Sequence, residues 1–139
     1  PEKVRIKIFS RDGAIALSRC VPVFEKIGLF VNFETGYPVR PPVKPVADAP
    51  DTYWIHALAM HPADGSVVDL AALSGALEDA FIAVWSGKAD NDGFNRLVLT
   101  AGATWRQAAL LRASIRKPTR ASRHEPGRLK RSQPSSKTR

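Results

Sequence analysis

Cysteine is nearly absent from these 139 residues. The single thiol, Cys20, excludes an internal disulfide and a cysteine-cluster zinc site. No apolar run reaches the ~18 residues of a membrane span, and no charged-then-apolar leader opens the chain. No glycine-rich phosphate-binding turn occurs, so a nucleotide site within the chain is not expected. The length suits one domain with a tail and leaves no room for a two-domain, dinucleotide-dependent enzyme. The first residue is Pro1 rather than methionine, as in a processed chain or a piece of a longer one. A lone thiol fits a reducing compartment, so the expected location is cytoplasmic.

Charge is abundant but unevenly placed. The net charge is +8 and the pI about 10.2. Residues 1–112 hold twelve Lys/Arg against twelve Asp/Glu; residues 113–139 hold nine Lys/Arg against Glu125 alone. The basic excess therefore belongs to a tail and not to a folded face, which argues against a basic binding groove on the domain.

Apolar periodicity orders the rest. Val4, Ile6 and Ile8 alternate with Arg5 and Lys7, the signature of a half-buried strand. Leu17, Cys20, Val21, Phe24 and Ile27 recur at helical spacing, with Ser18 as the expected N-cap, Pro22 at the end of the first turn and Gly28 as the stop. Leu29, Val31 and Phe33 return to period two and share one face. Five prolines between residues 36 and 50 predict an extended connector or a wide hairpin loop. Tyr53 to Met60, apolar on both faces except His56, predicts a central or doubly covered strand. Asp69 caps the clearest helix, through Leu70, Leu73, Leu77, Phe81, Val84 and Trp85. Asp92 caps a short helix stopped by Gly102. Thr104 and Gln107 have capping-box spacing and open a last helix through Trp105, Ala108 and Leu111. Beyond residue 113 the composition of Ser, Arg, Lys and Pro predicts a disordered basic tail.

Candidate chemistry is thin. His56 and His61 are five apart, so a strand turns them to opposite faces, and a structural role is expected of both; His124 stands alone in the tail. Glu78 and Asp79 diverge by about 100° on a solvated helix face. Asp90 and Asp92 flank Asn91 without the glycine and glutamate of a calcium loop. Cys20, on a buried stripe, reads as a small core residue. The tail lacks the interleaved aromatics of a single-strand binder, so any nucleic-acid contact would be non-specific; it also reads as solvated text or as another reading frame.

One stretch carries a resemblance. Ala89-Asp90-Asn91-Asp92-Gly93-Phe94-Asn95-Arg96-Leu97-Val98-Leu99, with Ala101-Gly102, Trp105-Arg106 and Leu111-Arg112-Ala113, resembles the large bacterial NAD-specific glutamate dehydrogenases. Phe81 to Lys88 and Trp54-Ile55-His56 look like the same family, and the match spans about Lys3 to Arg112. From Ser114 the text departs from the family's helix. The resemblance implies an ACT-like regulatory module ahead of a catalytic domain. In the parent family NAD accepts a hydride as L-glutamate is deaminated to 2-oxoglutarate and ammonia. No catalytic, cofactor or metal residue carries over to a position here.

The resulting expectation is an α+β fold. An ACT-like strand-helix-strand-strand-helix module fills 1–88, with a Pro-rich connector at 36–50. A helical segment follows at 89–113, and a disordered basic tail at 114–139. The chain is read as a fragment of such a dehydrogenase, regulatory or structural, with no cofactor of its own. Its expected partners are the remainder of the enzyme or other subunits of a homo-oligomer, and an amino-acid effector; no membrane contact is expected. The alternatives are a stand-alone amino-acid-binding ACT-like module, and a small basic nucleic-acid-binding protein. Asn91, Asp92, Gly93, Phe94, Asn95, Arg96 and Trp105 are the expected interdomain docking block. Gly93 is read as allowing a tight approach. Asn95 and Arg96 are read as pointing about 100° apart, one toward the module and the other toward the catalytic domain, and Phe94, Leu97, Val98 and Trp105 as apolar surface left uncovered.

Overall fold

The computed structural model describes residues 4–44 and 46–116. The fold is α+β: three antiparallel strands, two longer helices, and a helical C-terminal segment. The elements run β1 (Val4–Ser10), α1 (Leu17–Ile27), β2 (Leu29–Val39), β3 (Tyr53–Pro62) and α2 (Leu70–Trp85). A 3₁₀ turn (Gly93–Arg96), α3 (Leu97–Ala101) and α4 (Trp105–Arg116) complete it. The sheet order is β1-β3-β2, so β3 is central and both other strands are edges.

The core follows the alternation of the strands. Val4, Leu29, Leu58 and Met60 point from the sheet into a cluster with Cys20, Val23, Phe24 and Ile27 of α1. Leu77 and Ala80 of α2 and Val98 and Leu99 of α3 close it from the far side. Phe24 and Phe81 stack at 4.8 Å between ring centroids, and Phe81 stacks on Trp85 at 5.6 Å.

Several helix ends form as local sequence dictates. Asp69 accepts hydrogen bonds from the N–H groups of Ala71 and Ala72. The Gln107 N–H donates to Thr104 Oγ1 at 3.3 Å, and the Thr104 N–H to Gln107 Oε1 at 2.8 Å, a closed capping box. Gly28 ends α1 in the left-handed region, φ 106°.

Five local expectations need correction. α1 starts at Leu17 with Ala16 as its cap, so Ser18 is already inside the helix and Pro22 lies in its second turn. Pro22 is tolerated there at the cost of one main-chain donor. A bulge at Asn32 shifts the β2 register, pairing Val31 with Met60 but Phe33 with Ala59. The extra residue turns Phe33 outward, 65% exposed, and brings Glu34 to the helix-covered face in its place. β2 also continues through Gly36, Tyr37 and Pro38 to Val39. Pro38 survives because β2 is an edge strand, where a missing N–H costs no ladder bond, so the connector starts at Arg40 and not at 36. Finally, α4 runs to Arg116 and takes in the first three residues of the expected tail. Ser114 Oγ donates to the Leu110 carbonyl and does not break the helix. The remaining tail expectation, with His124, lies outside the described residues.

The bulge sets up a buried polar pair. His56 faces the helices, and Gly36 is its direct partner across β2. The Ile15 N–H donates to His56 Nε2 at 3.0 Å, so that nitrogen carries no proton. Nδ1–H then donates to Glu34 Oε1 at 2.7 Å. His61 points to the other face, where its Nδ1 meets Asn32 Oδ1 at 2.7 Å. Gly36 makes room for the inner pair. A Cβ there would sit 3.0 Å from Glu34 Oε1 and 3.1 Å from the His56 ring. Gly36→Ala should therefore cost about 1–3 kcal/mol, as overpacking does. Urea unfolding checks it; an unchanged midpoint would show that the pair moves aside freely.

Candidate functional site

The block from Asp90 to Arg96 is built from an extended residue and a tight turn. Asp92 has φ −140° and ψ −178°, and its Oδ1 accepts the Phe94 N–H at 3.0 Å, which caps the 3₁₀ turn. That turn drives Asn95 inward and leaves Arg96 outside. The divergence expected of these two neighbours is present. Asn95 Nδ2 donates to the Asp90 carbonyl at 2.9 Å.

Arg112 of α4 completes the arrangement. Arg112 is 5% exposed, and α4 delivers its guanidinium from twenty residues away in sequence. Nε donates to Asp92 Oδ2 at 2.6 Å and Nη2 to Asp92 Oδ1 at 2.9 Å, a two-pronged ion pair. Nη2 also donates to Asn95 Oδ1 at 3.0 Å. The Phe94 ring lies 5.7 Å below the guanidinium carbon. Among the described residues no buried side-chain polar atom is left without a partner. The result is a closed polar knot that ties α4 to the turn.

The expected docking residues are therefore divided. Asp92 and Asn95 are engaged in the knot. Val98 is fully buried in the module's own core, and Phe94, Leu97 and Trp105 are half-buried. They are not the uncovered apolar surface expected of them, because the 3₁₀ turn packs on α1 while α3 and α4 pack on α2. Exposed apolar side chains lie instead on α4: Leu110, Leu111 and Ile115. Asn91 and Gly93 are exposed. A Cβ on Gly93 would meet nothing within 4 Å, so no tight approach requires glycine there. The close approach is at Gly28, where a Cβ would lie 3.3 Å from Arg96 Cγ.

Sequence reasoning placed Arg112 in the family stretch but not in the site. The signal was available: Trp105, Ala108 and Arg112 fall on one helical face, and that face is otherwise apolar. An arginine on a buried face must find a carboxylate.

The knot offers no reaction centre. Its carboxylate and its amide are engaged within it, and a cavity lies elsewhere, beside β1. Among the described residues no three His, Cys, Asp or Glu gather as metal ligands. Cys20 is buried, and that burial, with the Glu34 charge adding to it, pushes its thiol from 9.0 up to about 11.

Comparison with known proteins accounts for the block. Residues 1–73 match the family model for the ACT3 domain of glutamate dehydrogenase, and residues 89–116 match that for its helical motif 3. The chain belongs to the glutamate dehydrogenase ACT3 family. The chain is 42% identical over 115 residues to the NAD-specific glutamate dehydrogenase of Pseudomonas aeruginosa, covering 83% of this chain and 7% of that protein. The enzyme of the same name from Halomonas elongata is 38% identical over 113 residues, 81% of this chain and 7% of that one. That of Mycobacterium tuberculosis is 34% identical over 104 residues, 70% and 6%. The chain thus spans a small part of the curated relatives it matches. The second match extends to residue 116, where α4 ends, past the departure expected at Ser114. The knot holds residues of the helical-motif match alone, while α3 carries that segment onto the ACT3 core.

Two outcomes follow. Asp92→Ala should cost about 3–5 kcal/mol, because it removes the close carboxylate from a buried cation whose other acid, Asp90, lies 3.9 Å from Nε and is largely exposed. Arg112→Met should cost less, since Asp92 is partly exposed and keeps its capping bond; denaturant unfolding showing the reverse order would refute this account of the knot. Cys20 should resist iodoacetamide in the folded chain at neutral pH and react once urea unfolds it, because a thiol ionising near 11 carries almost no thiolate there. Labelling as fast as that of a free thiol would place it at the surface.

Proposed function

We propose that this chain is a structural and regulatory segment of an NAD-dependent glutamate dehydrogenase and does no chemistry itself. The whole enzyme would oxidise L-glutamate with NAD to 2-oxoglutarate and ammonia. NAD would bind elsewhere in that polypeptide. What supports the reading is the paired match to the ACT3 domain and helical motif 3, together with a matched block whose polar groups are consumed in holding the fold.

The segment's role is to carry α4 as a rigid arm. The knot fixes its inner face, and Leu110, Leu111 and Ile115 form the face offered to the remainder of the enzyme or to a neighbouring subunit. That replaces the Phe94–Trp105 surface as the docking face. An interdomain contact of this kind is apolar at its centre and needs no catalytic group.

Two measurements test the reading. The isolated chain, incubated with glutamate and NAD, should form no NADH; turnover that co-purifies with it would overturn the non-catalytic role. Ile115→Asp should leave the melting temperature of the 139-residue chain within about 2 °C, since the side chain is exposed. The same change in the full dehydrogenase should lower its melting temperature clearly. An equal, negligible effect in both would remove α4 as the docking face.

A further inference from the structure

Among the described residues β1 is an edge strand, with β3 on one side and no strand on the other. In an antiparallel pair every second residue turns its N–H and C=O away from the partner, so β1 turns a row of donors and acceptors away from β3, and no strand among the described residues meets it. Next to that row lies a cavity of about 720 Å³. Its floor is the inner face of β1, Ile6 and Ile8; its roof is Leu77, Phe81 and Trp85 of α2. The roof is rigid. Phe24, Phe81 and Trp85 are stacked in series, and the Arg19 guanidinium lies 4.1 Å over Trp85. The half-burial of Ile6, Ile8, Phe81 and Trp85 reflects this one open side. An apolar slot that runs along a free β edge has the shape and the bonding pattern of a missing strand.

The outer face of β1 narrows what fits. Arg5 and Lys7 point to solvent, directly opposite Ala59 and Ala57 of β3. Among the described residues neither has an acidic partner across the sheet. A second copy of β1 would set these cations against each other, which disfavours self-pairing. Residues 117–139 carry eight Lys/Arg and one acid, so their charge is also of the wrong sign. The matching segment alternates: branched apolar residues toward the roof, acidic residues toward Arg5 and Lys7.

We propose that the β1 edge and its slot receive an extended segment that alternates acidic and apolar residues, supplied by the part of the dehydrogenase polypeptide outside these 139 residues. The source rests on the function proposed above; the slot itself does not. The segment would add a fourth strand and cover Phe81 and Trp85. A free amino-acid effector is a different occupant. The inner walls carry no buried charged side chain to hold its two ionic groups; the charged residues that line the slot, Lys7, Arg11, Asp12, Arg19 and Glu78, sit at the exposed rim.

Titration of the chain with a capped nine-residue peptide alternating glutamate and valine, read by tryptophan fluorescence and calorimetry, tests the slot. Saturable binding is expected, weakening as salt rises. The lysine–valine peptide should bind about tenfold more weakly, and the double variant Arg5→Glu, Lys7→Glu should reverse that preference. N-methylation of every second peptide amide, in either of its two frames, keeps the side chains; the frame that blocks the edge bonds should abolish binding. Absence of binding, equal binding of both peptides, or full binding by both methylated peptides would each overturn the strand. So would displacement of the peptide by free glutamate, which would make the slot an effector pocket. Overlapping peptides covering the rest of the dehydrogenase should include a binder. If the glutamate–valine peptide binds and none of these does, the strand comes from another protein; that overturns the source, while the absence of NADH formation above stands or falls separately.

Discussion

A guanidinium removed from water must have its donors met, and much of this molecule's C-terminal half is arranged to meet those of Arg112. Asp92 answers two of them while its Oδ1 also caps the turn at Phe94. Asn95 answers a third and is held in place by the Asp90 carbonyl. Each condition constrains the next. Asp92 must be extended, the turn must be tight enough to aim Asn95 inward, and α4 must pack its Ala108 face against the module. α3, at five residues, is far too short to hold itself helical, so its geometry is inherited from the knot on one side and the core on the other.

A second polar inclusion plays the corresponding part in the sheet. His56, Glu34 and the Ile15 N–H form a satisfied chain beneath α1. Glu34 reaches that chain only because the Asn32 bulge shifts the register, and His56 has room only because Gly36 lacks a side chain. A one-residue slip would return Phe33 to the interior and leave His56 facing no carboxylate. A buried pair of this kind adds little net stability, but it raises the free energy of every other register.

The sequence announced what is local. Asp69, Asp92 and the Thr104–Gln107 box were readable because a cap and its target lie two or three residues apart. The central strand was readable because Tyr53 to Met60 carry apolar residues on both faces. What escaped depends on distance in sequence. The Asn32 bulge answers to β3, and Pro38 in β2 is allowed only by the strand order. The Asp92–Arg112 pair spans twenty residues, so nothing local in the block showed that Asp92 and Asn95 are turned on Arg112. The resemblance supplied the family, but it could not say which of the matching residues face inward.

The two sheet edges are unlike, and the difference has a physical meaning. β2 is guarded by a bulge and by Pro38, devices that spoil an edge for any further strand. β1 has neither: seven residues run unbroken beside an apolar slot roofed by α2. Left unguarded, such an edge invites pairing with whatever strand arrives. Arg5 and Lys7 are the charges on its outer face, beside an exposed Phe9, and they discriminate by sign. They repel another β1 and the basic residues beyond 116, while opposing no acidic segment. An edge meant to stay bare would be expected to interrupt its backbone, as β2 does. An edge that keeps its backbone intact and selects by charge is built to be covered by one kind of strand.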